Sequence, residues 1–271
     1  MSTATMLHGE AYRSDLGEAG LRAVLSRNQI LVHLPKAIGS RSCSKILEAI
    51  DGIGFESYSA TDGLADSEPV SKLVTTGTLF DFYDDPRGFD PYFEQARSQM
   101  AFMRRRFAAT GAPDPLRLMA DLLQEAWPGP VSVATEPGFG TYNAGVVRSI
   151  PSGALPHVDN AAEECPHLVV GETVAQGSIL IYLTSPATGG GLRVFHKSPT
   201  AYDRIHNRQD WGFSPAAIVG VPFTGVTPSA GDVVVFPTTL IHSVDTVVAG
   251  ERISVSAFFG QTRDGRLILW S

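Results

Sequence analysis

Ile179 to Phe195 reads ILIYLTSPATGGGLRVF: a strand-length apolar run, a Ser-Pro turn, three consecutive glycines and a second apolar run. No stretch of helical period separates the two runs, and glycines permit a tight reversal. The segment is therefore expected to be a hairpin of two buried strands. The same texture extends to either side in GTYNAGVVRSI, AIVGVPF, DVVVFP and RISVSAFFG, each punctuated by Gly or Pro. Short strands without intervening amphipathic helices argue for a sandwich or barrel over a βαβ sheet. GRLILWS at the end of the sequence reads as a last edge strand.

Residues 1–127 read differently, as mostly helical with one early strand. QILVHLP (Gln29 to Pro35) is a short apolar run closed by proline. In SKILEAIDG, Ile46, Leu47 and Ile50 recur at helical spacing and Gly52 supplies a stop. Between Pro91 and Trp127 the breaker GAPDP separates two amphipathic patterns. Phe93, Ala96, Met100 and Met103 form the apolar stripe of the first, and Leu116, Met119, Leu122 and Leu123 that of the second. The expected fold is mostly β with a helical N-terminal half. Its core is a double-stranded β-helix, a cupin-like jelly roll, flanked by α-helices. Residues 1–271 are expected to form a single domain, with 1–127 as helical support and lid and 128–271 as the jelly-roll core.

Composition narrows the function classes. A net charge of −7 over 271 residues disfavours broad binding to a phosphate backbone, and the run Arg104 to Arg106 reads as a solvated helix face. Cys43 and Cys165 lie far apart with no CxxC spacing, so neither a disulfide framework nor a zinc knuckle is expected. The N-terminus lacks the pattern of a secretory signal, and no apolar run approaches the ~18 residues of a membrane span. The expectation is a soluble, cytoplasmic protein, monomer or homodimer, acting on a small molecule, with no membrane or nucleic-acid partner.

LPHVDN (Leu155 to Asn160) places His157 and Asp159 two residues apart. On an extended segment both point to one face, so an imidazole nitrogen and a carboxylate oxygen can bind one cation while Val158 faces away. His242, in IHSVDTVVAGERIS (Ile241 to Ser254), is the candidate third ligand. Two histidines and one carboxylate form the facial triad of non-haem Fe(II) oxygenases. Arg252 follows His242 by ten residues, and Ser254 shares its strand face. A buried guanidinium with a neighbouring hydroxyl suits a carboxylate ligand.

These residues resemble the Fe(II)/2-oxoglutarate-dependent oxygenases, whose signature is H-x-D, a distal His and an Arg about ten residues beyond it. The chain is most similar to the branch containing the N-substituted L-amino-acid hydroxylases and the freestanding alkaloid halogenases. The likeness runs from QILVHLPKAIG through RSIPSGALPHVDN, the glycine-rich segment and AGDVVVF to LILWS. It implies that His157, Asp159 and His242 ligate Fe(II), that Arg252 and Ser254 hold the distal carboxylate of 2-oxoglutarate, and that O2 is the oxidant. Arg148 is a further candidate contact to 2-oxoglutarate or substrate, with Tyr142 a weaker one. Tyr142, Ala144, Val146 and Arg148 are expected along one strand face.

Halogenases of this branch carry glycine in place of the carboxylate ligand. Asp159 therefore points to hydroxylation of an unactivated C–H in an amino-acid derivative or natural-product intermediate. Desaturation, cyclisation, halogenation (which Asp159 disfavours) and nucleic-acid demethylation remain alternatives within the superfamily. Substrate contacts are expected from Arg193, Arg204, Trp211, Phe213, His167 and Asn160, with the lid drawn from the helical half and from the stretch that also carries Tyr202. His8, His33, His196 and His206 read as ordinary polar residues.

Overall fold

The computed structural model describes residues 12–13, 16–57, 71–74, 78–82 and 88–271; His8 lies outside them. A large sheet and a small sheet face each other. The large sheet has ten strands, in the order Tyr12–Arg13, Leu31–Leu34, Val233–Phe236, Ala175–Tyr182, Ile253–Gln261, Val146–Ser149, Ser71–Leu73 and Phe55–Ser57. Beyond the far end of Ile253–Gln261 it continues through Leu267–Trp270 to Val131–Val133. The small sheet runs Phe223–Val226, Leu192–Phe195, His242–Val244 and Ala154–His157, all antiparallel.

Strand alternation divides the burial between two layers. Val255, Ala257 and Phe259, with Ile179, Ile181, Val233 and Val235, form the outer face of the large sheet, packed under the helices. Leu180, Tyr182, Val234 and Phe236 form the inner face and meet Leu192, Val194 and Val244 of the small sheet. The sandwich interior between the sheets is where the candidate site residues converge.

The helices fall close to where the sequence pattern puts them. Ser40–Ile50 buries Cys43, Ile46, Ala49 and Ile50, and Gly52 follows at φ 74°. Arg106 of the Asp90–Thr110 helix donates to the carbonyls of Ala49 (2.8 Å) and Asp51 (2.7 Å), satisfying the C-terminal end of Ser40–Ile50. Gly111, at φ 66°, ends Asp90–Thr110, and Asp114 caps Pro115–Ala126 by accepting from the Leu116 N–H at 3.0 Å. Among the described residues no helix is long and apolar enough to cross a membrane.

Four expectations are corrected. Ile179–Phe195 is not a hairpin: its first run lies in the large sheet and its second in the small one. The glycines instead serve a crossover, where Gly189 (φ 82°) pairs with Val247 and a Cβ would meet the Thr246 carbonyl at 2.0 Å. Leu267–Trp270 is not an edge strand, because Val131–Val133 pairs alongside it in parallel. Among the described residues the N-terminal half contributes four strands to the large sheet rather than one. Tyr142 and Arg148 do not share a strand face, since Gly145 (φ 85°) breaks the extended segment and the strand begins at Val146.

Candidate metal centre

His157 ends one strand of the small sheet and His242 begins its neighbour, and the two are paired in register. Directly opposed residues of an antiparallel pair share a face, which brings the imidazoles to a centroid separation of 4.1 Å. Asp159 lies just past the strand end, where its N–H donates to the Thr238 carbonyl at 3.0 Å. Gln176 fastens the same segment by donating to the Asp159 carbonyl (3.2 Å) and accepting from the Ala161 N–H (2.9 Å). The carboxylate Oδ2 lies 3.2 Å from His242 Nε2 and 3.9 Å from His157 Nε2.

The ligand atoms of the three residues lie within 4.8 Å of one another. Each histidine turns Nδ1 to a backbone carbonyl, His157 to Leu155 at 2.7 Å and His242 to Leu240 at 3.0 Å. With Nδ1–H donating there, both Nε2 lone pairs point toward the carboxylate, and a cation among them satisfies all three. Burial foremost, then the neighbouring His242, pushes the His157 imidazole down to about 4, so it is neutral and ready to ligate near pH 7. Burial pushes the Asp159 carboxyl up. The close approach of His242 and the charges of His157, His242 and Arg148 outweigh that effect and hold it below the usual carboxylate range. Val158 packs on the outward side of the small sheet, as its place between the two ligands requires.

Arg252 is 2 % exposed and Ser254 1 %. The guanidinium donates through Nε to the Gly190 carbonyl (3.0 Å) and through Nη2 to the Tyr182 hydroxyl (3.1 Å). Its Nη1 and the Ser254 hydroxyl are buried with no hydrogen-bond partner among the described residues. Buried donors left unmade are costly, so this pair is built to receive an acceptor, and a carboxylate fits both. A Cβ on Gly190 (φ 69°) would come within 3.3 Å of Arg252 Cδ, which explains the glycine run: it lets backbone close over the arginine. Gly190, Tyr182, Gln176 and Thr238 were not singled out from sequence, because only the crossover and the strand pairings bring them to the site.

The remaining candidates separate. Arg148 lies opposite Ser254 on the adjacent strand, its Nη1 donates to the Ser256 hydroxyl, and its charge acts on both His157 and Asp159. Trp211 meets the His157 ring edge-on at 4.8 Å, and Asn160 follows Asp159 as the cap of a short helix. Tyr142 is buried away from these contacts, donating to Glu136 and packed on Tyr92 and Phe93. Arg193 is not positioned to meet a substrate in the interior. Its neighbours Leu192 and Val194 point inward, so it faces outward, bonded to Asp245 (2.9 Å) and stacked over Phe223. Arg204 is exposed and paired with Glu163 (2.8 Å), Phe213 is fully buried, and exposed His167 lies 5.8 Å from the Phe89 ring. His33 pairs with Asp232, His196 with Thr224, and His206 stacks on Tyr202.

Comparison with known proteins agrees with this arrangement. The family model of the 2OG-Fe(II) oxygenase superfamily matches residues 145–260. The chain is 31% identical over 208 residues to L-gamma-glutamyl-L-propargylglycine hydroxylase of Streptantibioticus cattleyicolor, covering 73% of this chain and 74% of that protein. It is 28% identical over 191 residues to leucinostatins biosynthesis cluster protein S of Purpureocillium lilacinum, covering 66% of this chain and 76% of that protein. Its fold is similar to a solved N-substituted L-amino acid dioxygenase from Burkholderia ambifaria AMMD. The TM-score is 0.62 at 12% identity, covering 94% of this chain and 91% of that one. The chain belongs to the 2OG-Fe(II) oxygenase superfamily and is an iron- and 2-oxoglutarate-dependent dioxygenase.

Proposed function

We propose that this dioxygenase hydroxylates an unactivated C–H of a small amino-acid derivative or natural-product intermediate, with His157, Asp159 and His242 as the iron ligands. Arg252 and Ser254 hold the distal carboxylate of 2-oxoglutarate. The observation that carries the reading is the Asp159 carboxylate, 3.2 Å from His242 Nε2, which fills the third ligand position with a protein group. Iron bound there supplies the activation of O2 coupled to oxidative decarboxylation of 2-oxoglutarate. The chain's part is position. The Leu155 and Leu240 carbonyls fix the imidazole tautomers, Thr238 and Gln176 fix Asp159, and Tyr182 and Gly190 hold the guanidinium fork. Trp211 covers the His157 edge of the site, so the segment around it serves as part of the lid.

The amino-acid class draws on the relative named as a γ-glutamyl amino-acid hydroxylase. A net charge of −7 speaks against a nucleic-acid substrate. The two buried free cysteines suit a reducing cytoplasm. We read residues 1–271 as one catalytic domain acting as monomer or homodimer; a single apolar cluster joins Leu21 and Met119 of the helices to Val255 and Leu269 of the sheet. The test is anaerobic titration with Fe(II) and 2-oxoglutarate, followed by an aerobic screen of amino-acid derivatives. Bidentate chelation should give a visible charge-transfer band. With the productive compound, 2-oxoglutarate should be converted to succinate and CO2 while the compound gains one oxygen atom. A product bearing halide, or one that has lost two hydrogens without gaining oxygen, would overturn hydroxylation.

A further inference from the structure

We propose that Trp211 is a specificity-determining residue, a fixed wall beside the metal site that takes the apolar side chain of the substrate, and that the buried Lys197–Asp203 pair positions it; this deepens the oxygenase reading above and rests on it. Arg208–Gln209 and Gly212–Phe213 form a two-stranded antiparallel hairpin whose turn is Asp210 and Trp211. Asp210 takes φ 48°, in the left-handed region that such turns demand. Turn positions of this kind ordinarily hold small polar residues, and Gln209 and Asp210 beside Trp211 are exposed. Trp211 is instead half-buried, because its ring meets the His157 imidazole edge-on at 4.8 Å. Gly212 makes the approach possible. A Cβ there would stand 2.7 Å from the Pro156 carbonyl oxygen and 3.2 Å from Leu155 Cβ, so only glycine lets the hairpin lie this close to the His157 strand. Phe213, fully buried, pins the next position.

A second set of contacts fixes the hairpin from behind. The Asp203 side chain is buried and accepts from the Thr200 N–H (2.8 Å), the Thr200 hydroxyl (2.7 Å), Lys197 Nζ (2.9 Å) and Asn207 Nδ2 (2.9 Å). The Ala201–His206 helix is too short to hold itself, and this carboxylate stands in for length. Lys197 Nζ also donates to the Ala217 carbonyl at 2.8 Å, and the Ser214 N–H donates to the Asn207 carbonyl at 2.8 Å. The pair therefore grips the chain on both sides of the turn. The Lys197 carbonyl in turn accepts from the N–H of Ile241, next to His242, at 2.8 Å. A continuous run of bonds joins the neighbour of one metal ligand to the indole that rests on another. Such a roof is preset rather than hinged. Its cations face other partners: Arg204 pairs with Glu163, and Arg208 lies over the Phe213 ring. What the lid presents at the metal site is an aromatic ring, which fits an alkyl or aromatic group of the substrate and sets which carbon stands at the iron.

The experiment uses the full chain and two readouts. With Co(II), a short-range quencher of indole emission, at the triad, Trp211→Phe should remove most of the quenching that wild type shows beyond its Zn(II) form. The protein loaded with Zn(II) and 2-oxoglutarate is then titrated calorimetrically with N-acetylglycine and with N-acetyl-L-norvaline, N-acetyl-L-leucine and N-acetyl-L-phenylalanine. At least one larger compound should bind at least tenfold tighter than N-acetylglycine. Trp211→Ala should cut that preference below threefold, with 2-oxoglutarate affinity changed less than threefold. Asp203→Asn tests the positioning role: the folded variant should lose both the Co(II) quenching and the preference, again with 2-oxoglutarate affinity within threefold. A purely structural pair would lower the Tm and leave both readouts of the folded protein at wild-type values, which overturns that role. If Asp203→Asn folds poorly, Asn207→Ala removes a single donor and should move both readouts in the same direction; no movement overturns the role equally. Equal binding of N-acetylglycine and the larger compounds overturns the wall, as does a preference that survives Trp211→Ala. Failure of every compound to bind, with 2-oxoglutarate still bound, also overturns it and leaves the oxygenase reading standing. Absence of Fe(II)-dependent 2-oxoglutarate turnover would instead sink that reading.

Discussion

Replacing Arg252 with methionine keeps much of the side-chain volume but removes the charge from a site where the residue is 2 % exposed. Solvent screening is negligible at that burial, so the loss approaches that of a broken buried pair, about 3–5 kcal/mol. Converted at about 1.4 kcal/mol per decade, this is a rise in KM for 2-oxoglutarate of about two to three and a half orders of magnitude. The substitution also strips the partners from the Gly190 carbonyl and the Tyr182 hydroxyl. Each unpaired buried group costs about 1–3 kcal/mol, so the variant should melt several degrees lower and is to be assayed well below its Tm. Arg252→Lys should fall between the two proteins, because an ammonium retains charge but cannot reach Gly190, Tyr182 and the ligand together. The assay is succinate release against 2-oxoglutarate concentration, with substrate KM measured in parallel. A KM for 2-oxoglutarate within threefold of wild type, in a folded variant, would refute the assignment of Arg252.

Three further outcomes are expected. His157→Ala and His242→Ala should each lose stoichiometric iron by metal analysis and abolish Fe(II)-dependent succinate release; normal 2-oxoglutarate turnover by His242→Ala would contradict the ligand assignment. Because the folded His157 pKa is depressed to about 4 from 6.5, the unfolded chain binds the extra proton first on acidification. The metal-free protein should therefore lose stability as pH falls from about 6.5 toward 4, by at most about 3 kcal/mol from this residue, and His157→Ala should flatten that part of the Tm–pH curve. Gly190→Ala places a side chain at φ 69° with Pro186 Cγ 2.9 Å away. It should raise the KM for 2-oxoglutarate, though by less than Arg252→Met; an unchanged KM would show that the crossover does not govern the guanidinium.

The chemistry was legible in the sequence because its signals are local. H-x-D needs only the two-residue period of an extended chain to put His157 and Asp159 on one face, and Arg252 and Ser254 obey the same rule at the start of Ile253–Gln261. The helices were legible for a similar reason: apolar spacing, the Gly52 stop and the Gly111 to Pro115 break are each read within a single turn or two. What the sequence left open depends on partners far along the chain. The glycines of ILIYLTSPATGGGLRVF signalled a reversal, and only the pairing of the two sheets turned that hairpin into a crossover that closes over Arg252. Arg193 and Arg148 look alike in sequence. Alternation about Leu192 and Val194 sends the first outward to Asp245, while Val147 packs on the helix side and sends the second inward. Periodicity assigns faces within one strand, but which face becomes the interior, and which side chains meet there, is fixed by pairing between strands that sequence spacing does not encode.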